Sequence, residues 1–107
     1  MQEKRPPSEE VVRVPLPKGN QVIGIVEVRL GFGKSRIQCT DGKVRICRVP
    51  GRLKRRLWVR PNNIVLVQPW EIEGDRKGDI LYRYLDNQVE WLKKRELLKD
   101  LIEKEEF

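Results

Sequence analysis

Arg52, Lys54, Arg55, Arg56 and Arg60 fall within the ten residues from Gly51 to Arg60, with Trp58 among them and no carboxylate to neutralise them. Cations held this close repel one another, and a polyanion laid against them relieves that repulsion. Widening the window to Arg29–Arg60 adds Arg29, Lys34, Arg36, Lys43, Arg45 and Arg48, against a single acid, Asp41. The window carries +10 and the whole chain +7, which leaves the remaining residues at −3, so the basic character is local. Arginine exceeds lysine there by eight to three, and the planar guanidinium fork suits bidentate phosphate contact and stacking better than an ammonium does. A face kept basic only for solubility would mix both signs, as the sequence does after Asp86.

Other chemistries lack their residues. Histidine is absent, and Cys39 and Cys47 are the only cysteines, which excludes the common zinc sites and Cys–His nucleophilic catalysis. Gly31-Phe32-Gly33-Lys34 is too short for a phosphate-cradling loop and falls between strands, not before a helix. Glu71, Glu73, Asp75 and Asp79 lack EF-hand spacing and are expected to face solvent. No catalytic residue, cofactor or metal is expected, and the chain is not read as an enzyme. MQEKRPPSEE has no apolar core behind its charges, and no apolar run approaches the ~20 residues that a bilayer crossing needs. A cytoplasmic monomer with no membrane contact and no disulfide is expected.

The elements that must hold these residues follow from periodicity. Within 107 residues there is room for one core. Residues 1–20 carry five of the helix- and ladder-breaking residues, Pro6, Pro7, Pro15, Pro17 and Gly19, and read as a flexible arm. Val11, Val12, Val14 and Leu16 could lay a short edge strand on the body. Gln21–Leu30 alternates, apolar on both faces in its first half and on one in its second. Ser35–Thr40 and Lys43–Val49 flank Asp41-Gly42, which predicts a hairpin with a two-residue type I′ turn. That loop pairs Thr40 with Lys43 and Ile37 with Ile46. It would place Ile37, Cys39, Val44 and Ile46 on the core face, and Arg36, Gln38, Thr40, Lys43, Arg45 and Cys47 on a cationic outer face.

Arg52–Arg56 shows no alternation and is expected as a loop or single helical turn. If Leu57 and Val59 face inward, Trp58 is displayed beside Arg56 and Arg60; the alternative is a core tryptophan. Ile64–Gln68 and Ile80–Leu85 supply two more strands, the last alternating Ile80, Tyr82 and Tyr84 against Leu81, Arg83 and Leu85. Asn87 and Glu90 resemble a capping box for a helix whose apolar positions run from Val89 through Ile102, with Glu103–Phe107 fraying. The fold class is therefore all-β with a C-terminal helix, a five-stranded OB-fold barrel (S1-like). Its parts are a 1–20 arm, a 21–85 RNA-binding barrel and an 86–107 helix with tail.

Four blocks, GIVEVRLG (24–31), DGKVRICRVPGRLKRRLWVR (41–60), IVLVQPW (64–70) and GDILYRY (78–84), closely resemble the archaeal translation initiation factor 1A family. The resemblance is continuous over roughly Val22–Leu92. It implies an oligonucleotide-binding barrel with a following helix that binds the small ribosomal subunit at the A-site decoding region. There it would block premature tRNA access and stabilise initiator tRNA and mRNA placement. Arg52, Lys54, Arg55 and Arg56 match the family's RNA-inserting loop, Trp58 matches an aromatic on the same surface, and Arg36, Lys43, Arg45 and Arg48 match basic sheet positions. With Lys34 and Arg60 these make the expected RNA-binding set. Phe32 stands where many members have glycine, and Asn62-Asn63 replaces a common Gly-Asp turn. No long acidic C-terminal extension like that of eukaryotic members is present, so any contact with other initiation factors, including the subunit-joining GTPase, is expected to use the helix or Glu103–Phe107. Two other readings stay open: a general single-stranded RNA or DNA chaperone of cold-shock type, and a protein-interaction module acting through the helix.

Overall fold

The computed structural model describes residues 13–99 and 101. Five strands, β1 (Val22–Gly31), β2 (Lys34–Cys39), β3 (Val44–Arg48), β4 (Ile64–Pro69) and β5 (Lys77–Arg83), close into a barrel in the order β1-β2-β3-β5-β4. All neighbours are antiparallel except β3 and β5, which run parallel. Helix α1 (Asp86–Lys94) follows. The expected fold is thus observed. No strand forms within 13–20, and the candidate strand residues Val11 and Val12, like Ile102 and Glu103–Phe107, lie outside the described residues.

β1 is apolar on both faces at its start because two cores lie behind it. Val22 and Val26 point into the barrel with Ile37, Cys39, Cys47, Val59, Val65, Val67 and Ile80. Ile23 and Ile25 point outward to a second cluster with Ile64, Leu66, Tyr84, Leu92, Leu98 and Leu101. Between them Gly24 meets β2 so closely that a Cβ there would collide with Ile37 Cγ2 and lie 3.0 Å from the Gln38 carbonyl. The arm is tied to the second cluster as well. The Tyr84 hydroxyl donates to the Pro15 carbonyl and the Gln88 amide donates to the Arg13 carbonyl at 2.8 Å.

Four sequence expectations are corrected. First, the β2–β3 register is shifted by one: Gln38 pairs with Val44, Ile37 with Arg45 and Arg36 with Ile46. Cys39 N–H instead donates to Lys43 O at 2.9 Å across a three-residue loop, with Gly42 N–H donating to Cys39 O at 3.0 Å, Lys43 N–H donating to Asp41 Oδ1 at 3.1 Å and Gly42 at φ 86°. This is a type I turn closed by a left-handed glycine, and the extra loop residue reverses every β3 side chain relative to a two-residue loop. Arg45 and Cys47 therefore face inward, while Val44 and Ile46 lie on the outer side. Both cysteines are free, and burial pushes the Cys47 thiol up to about 12. The two-residue turn with positive φ at both centres is instead Phe32-Gly33, at 52° and 74°.

Second, β5 changes face. Its register on β4 slips between Val67↔Ile80 and Leu66↔Tyr82, so a bulge at Leu81 sends Ile80 into the barrel but Tyr82 and Tyr84 to the helix side. Third, α1 begins two residues earlier than an Asn87 cap would set it. Leu85 is its N-cap, and the Gln88 side chain accepts from Leu85 N–H at 2.7 Å. Fourth, α1 stops at Lys94. Glu96 takes φ 60°, Glu96 N–H donates to Lys93 O and Leu97 N–H to Leu92 O, which is the Schellman pattern that satisfies the final carbonyls. The chain then turns and returns Leu98 and Leu101 to the second core.

Asn62-Asn63 needs no correction. Asn62 sits at φ 75°, a conformation asparagine tolerates, and the Asn63 side chain accepts from Arg60 N–H at 2.8 Å. A Gly-Asp pair would fill the same two roles.

Candidate nucleic-acid interface

After β3 the chain cannot continue in a ladder, because Pro50 has no N–H to give. It winds into a single 3-10 turn at Gly51–Leu53, where Leu53 N–H donates to Pro50 O at 2.9 Å and Lys54 N–H to Gly51 O at 3.3 Å. Further bonds from Arg56 and Leu57 N–H to Leu53 O continue the coil. A coil this tight fans its side chains outward, and Arg52, Lys54, Arg55 and Arg56 are all exposed. The alternation expected at its exit is observed: Val59 is buried and Leu57 packs on the barrel core, so Trp58 is displayed, 70% exposed. Arg60 is exposed beyond it.

Among the described residues none of Arg52, Lys54, Arg55, Arg56 or Arg60 has a carboxylate within ion-pair distance. Lys34, exposed at the start of β2, is likewise unpaired among them. The coil and the β1–β2 hairpin together wall a cleft of about 300 Å³, lined by Arg29, Gly33, Ser35, Val49, Lys54, Leu57, Trp58 and Val59. Arg29 is a member that strand alternation misplaces. The period-2 pattern puts it on the face of Ile23 and Ile25, but register shifts after Val26 and after Arg29 re-aim the end of β1, and Arg29 pairs with Ser35 beside the cleft. A charged residue at the apolar strand's end was the only sequence signal.

The remaining expected residues are placed differently. Arg36 is exposed but bonded to Glu27 at 3.2 Å, and Arg48 stands 3.6 Å from Asp79 with its guanidinium 5.0 Å from the Trp70 ring centre. Both stay on the outer sheet face and are partly committed there. Lys43 lies at the other end of β2, 3.0 Å from Asp75. Arg45 is not on the surface: its side chain is 3% exposed, forks onto both Asp41 oxygens at 3.1 and 2.8 Å, and donates Nε–H to the Gly74 carbonyl. The Arg45 bond holds the Asp41 carboxyl below its usual range. Arg45 thus fastens the β2–β3 turn to the β4–β5 loop, and its placement in the RNA-facing set is corrected by the register shift.

The geometry is therefore a group of exposed cations, unpaired among the described residues, around a displayed indole. The described residues contain no group of three or more metal-ligating side chains placed to hold an ion. Among the described residues no helix is long and apolar enough to cross a membrane.

The family model for translation initiation factor 1A / IF-1 matches residues 10–106. The chain belongs to that family. It is 52% identical to translation initiation factor 1A of Pyrococcus abyssi over 90 residues, covering 84% of this chain and 80% of that one. It is 54% identical to the Thermococcus kodakarensis factor over 87 residues, covering 78% and 74%. With the Methanococcus maripaludis C7 factor it shares 44% over 94 residues, covering 87% and 90%. The chain is accordingly a translation initiation factor, and its archaeal resemblance holds.

Proposed function

We propose that this initiation factor works by occupancy at the decoding region of the small ribosomal subunit's A site. The 3-10 coil and the cleft beside it dock on ribosomal RNA, withhold the A site from premature tRNA and steady the initiator tRNA and mRNA next to it. The observation that carries this reading is the concentration of unpaired cations at one barrel end, around an exposed Trp58. Phosphates neutralise the cations with release of counterions, and a base stacked on Trp58 adds ~1–3 kcal/mol. The RNA-binding set reduces to Arg29, Lys34, Arg52, Lys54, Arg55, Arg56, Trp58 and Arg60, with Arg36 and Arg48 as outer-face support and Lys43 distant.

Equilibrium binding of labelled protein to purified archaeal small subunits, with large subunits and unstructured RNA as controls across a salt series, tests it. Saturable one-to-one binding to small subunits, tighter than to large subunits or unstructured RNA, is expected. The variant with Arg52, Lys54, Arg55 and Arg56 all changed to alanine should bind at least ~100-fold more weakly, with a salt slope reduced by roughly three. Equal, steeply salt-sensitive binding to every RNA would replace this reading with a general chaperone.

A further inference from the structure

Phe32 is the most exposed large apolar residue described, at 101%, and touches nothing that would repay its placement. Its backbone is at φ 52° in the left-handed region, which disfavours any residue bearing a Cβ, while glycines flank it at 91° and 74°. Neither stability nor solubility accounts for an aromatic side chain held in this way, and such a conformational outlier points to function.

Its setting indicates the ligand. β1 leaves β4 after Ile25 and continues only against β2, so the hairpin carries its tip out beyond the barrel. Arg29 and Lys34 flank that tip as exposed cations, and Gly33, next to Phe32, lines the same cleft as Trp58. An aromatic ring carried outward between cations, across a cleft from a second exposed aromatic, matches the stacking platforms by which proteins hold unpaired bases.

We propose that Phe32 is a second base-stacking residue, engaging an unpaired base of the RNA on the far side of the cleft from Trp58. The proposal rests on the RNA-docking reading above and deepens it. Because Phe32 carries no charge, its contribution is independent of phosphate contacts.

The test compares wild type, Phe32→Gly and Phe32→Tyr in the full chain, by thermal melting and by affinity for three probes. The probes are purified archaeal small subunits, a single-stranded RNA 12-mer and an abasic strand of equal length. Phe32→Gly should melt no lower than wild type, because it removes a residue disfavoured at that φ. It should nevertheless bind subunits and the RNA 12-mer about tenfold more weakly, with an unchanged salt slope, and bind the abasic strand as wild type does. Phe32→Tyr should retain wild-type affinity. Unchanged subunit affinity in Phe32→Gly overturns the proposal, as does an equal loss on the abasic strand. A loss on subunits with none on the 12-mer would assign Phe32 to a protein contact and also overturn it. Failure of the wild-type protein to prefer small subunits would refute the docking reading instead, while the comparison of 12-mer and abasic strand would still report on Phe32.

Discussion

The two ends of β2 contain the same kinds of residue put to opposite uses. At the Cys39 end, around a cleft of about 580 Å³, each cation has an acid: Arg45 holds Asp41, Lys43 meets Asp75, and Arg76 and Lys77 both reach Glu73. At the Lys34 end, the cations of the 3-10 coil and Lys34 itself stand apart from any carboxylate in the described structure. One end uses charge to hold loops together and the other keeps it available. Counting basic residues along the chain cannot separate the two, and only the fold reveals which arginines have already found a partner.

Substitutions that move stability at one end should move affinity at the other. The largest effect is expected from Arg45→Ala, which strips a buried guanidinium from Asp41 and the Gly74 carbonyl. A loss of about 2–4 kcal/mol is expected, seen as a fall of ~10–20 °C in melting temperature, with the salt slope of RNA binding unaltered. A lowered salt slope would return Arg45 to the RNA face. Next is Trp58→Ala, which should weaken subunit binding about 5- to 30-fold while the melting temperature stays within ~2 °C, since the indole is largely in water.

Acid should affect only the paired end. Arg45 lowers the Asp41 pKa, so the Asp41 contribution is fully present above the unfolded value of ~3.9 and is lost as pH falls through the lower folded value. Asp41→Asn should be less stable than wild type at pH 7, with the gap narrowing below pH ~4 in a series of denaturant melts. The smallest effect belongs to Lys43→Ala. Its exposed pair with Asp75 is worth ~0–1 kcal/mol, and its distance from the coil predicts a smaller affinity loss than Lys54→Ala gives in parallel titrations.

Much of this arrangement was legible in the chain. Alternation located every strand to within a few residues, Pro50 and Gly51 marked the start of the coil, and Leu57 and Val59 displayed Trp58 as expected. All the errors but the start of α1, capped by Leu85 and not Asn87, share one physical source. Each arose where a single extra or missing residue reset the phase of a periodic pattern: the third loop residue before Lys43, the bulge at Leu81, the irregularities that re-aim Arg29, and Glu96 in a left-handed turn. Such decisions depend on tertiary contacts. Asp41 is held at its turn by Arg45, and the reversal after Lys94 allows Leu98 and Leu101 to reach the second core. Sequence spacing carries the period of an element far more strongly than its phase.

β4 is bordered by β1 and β5 and buried on both faces, Val65 and Val67 by the barrel and Ile64 and Leu66 by the helix region. Its amide protons should therefore be among the slowest in the protein to exchange with solvent, opening only when both cores open together. The 3-10 coil, whose short-range bonds belong to neither ladder, should exchange early. The protein would then pair a cooperative, slowly opening frame with an exposed basic coil free to adjust its backbone without disturbing that frame.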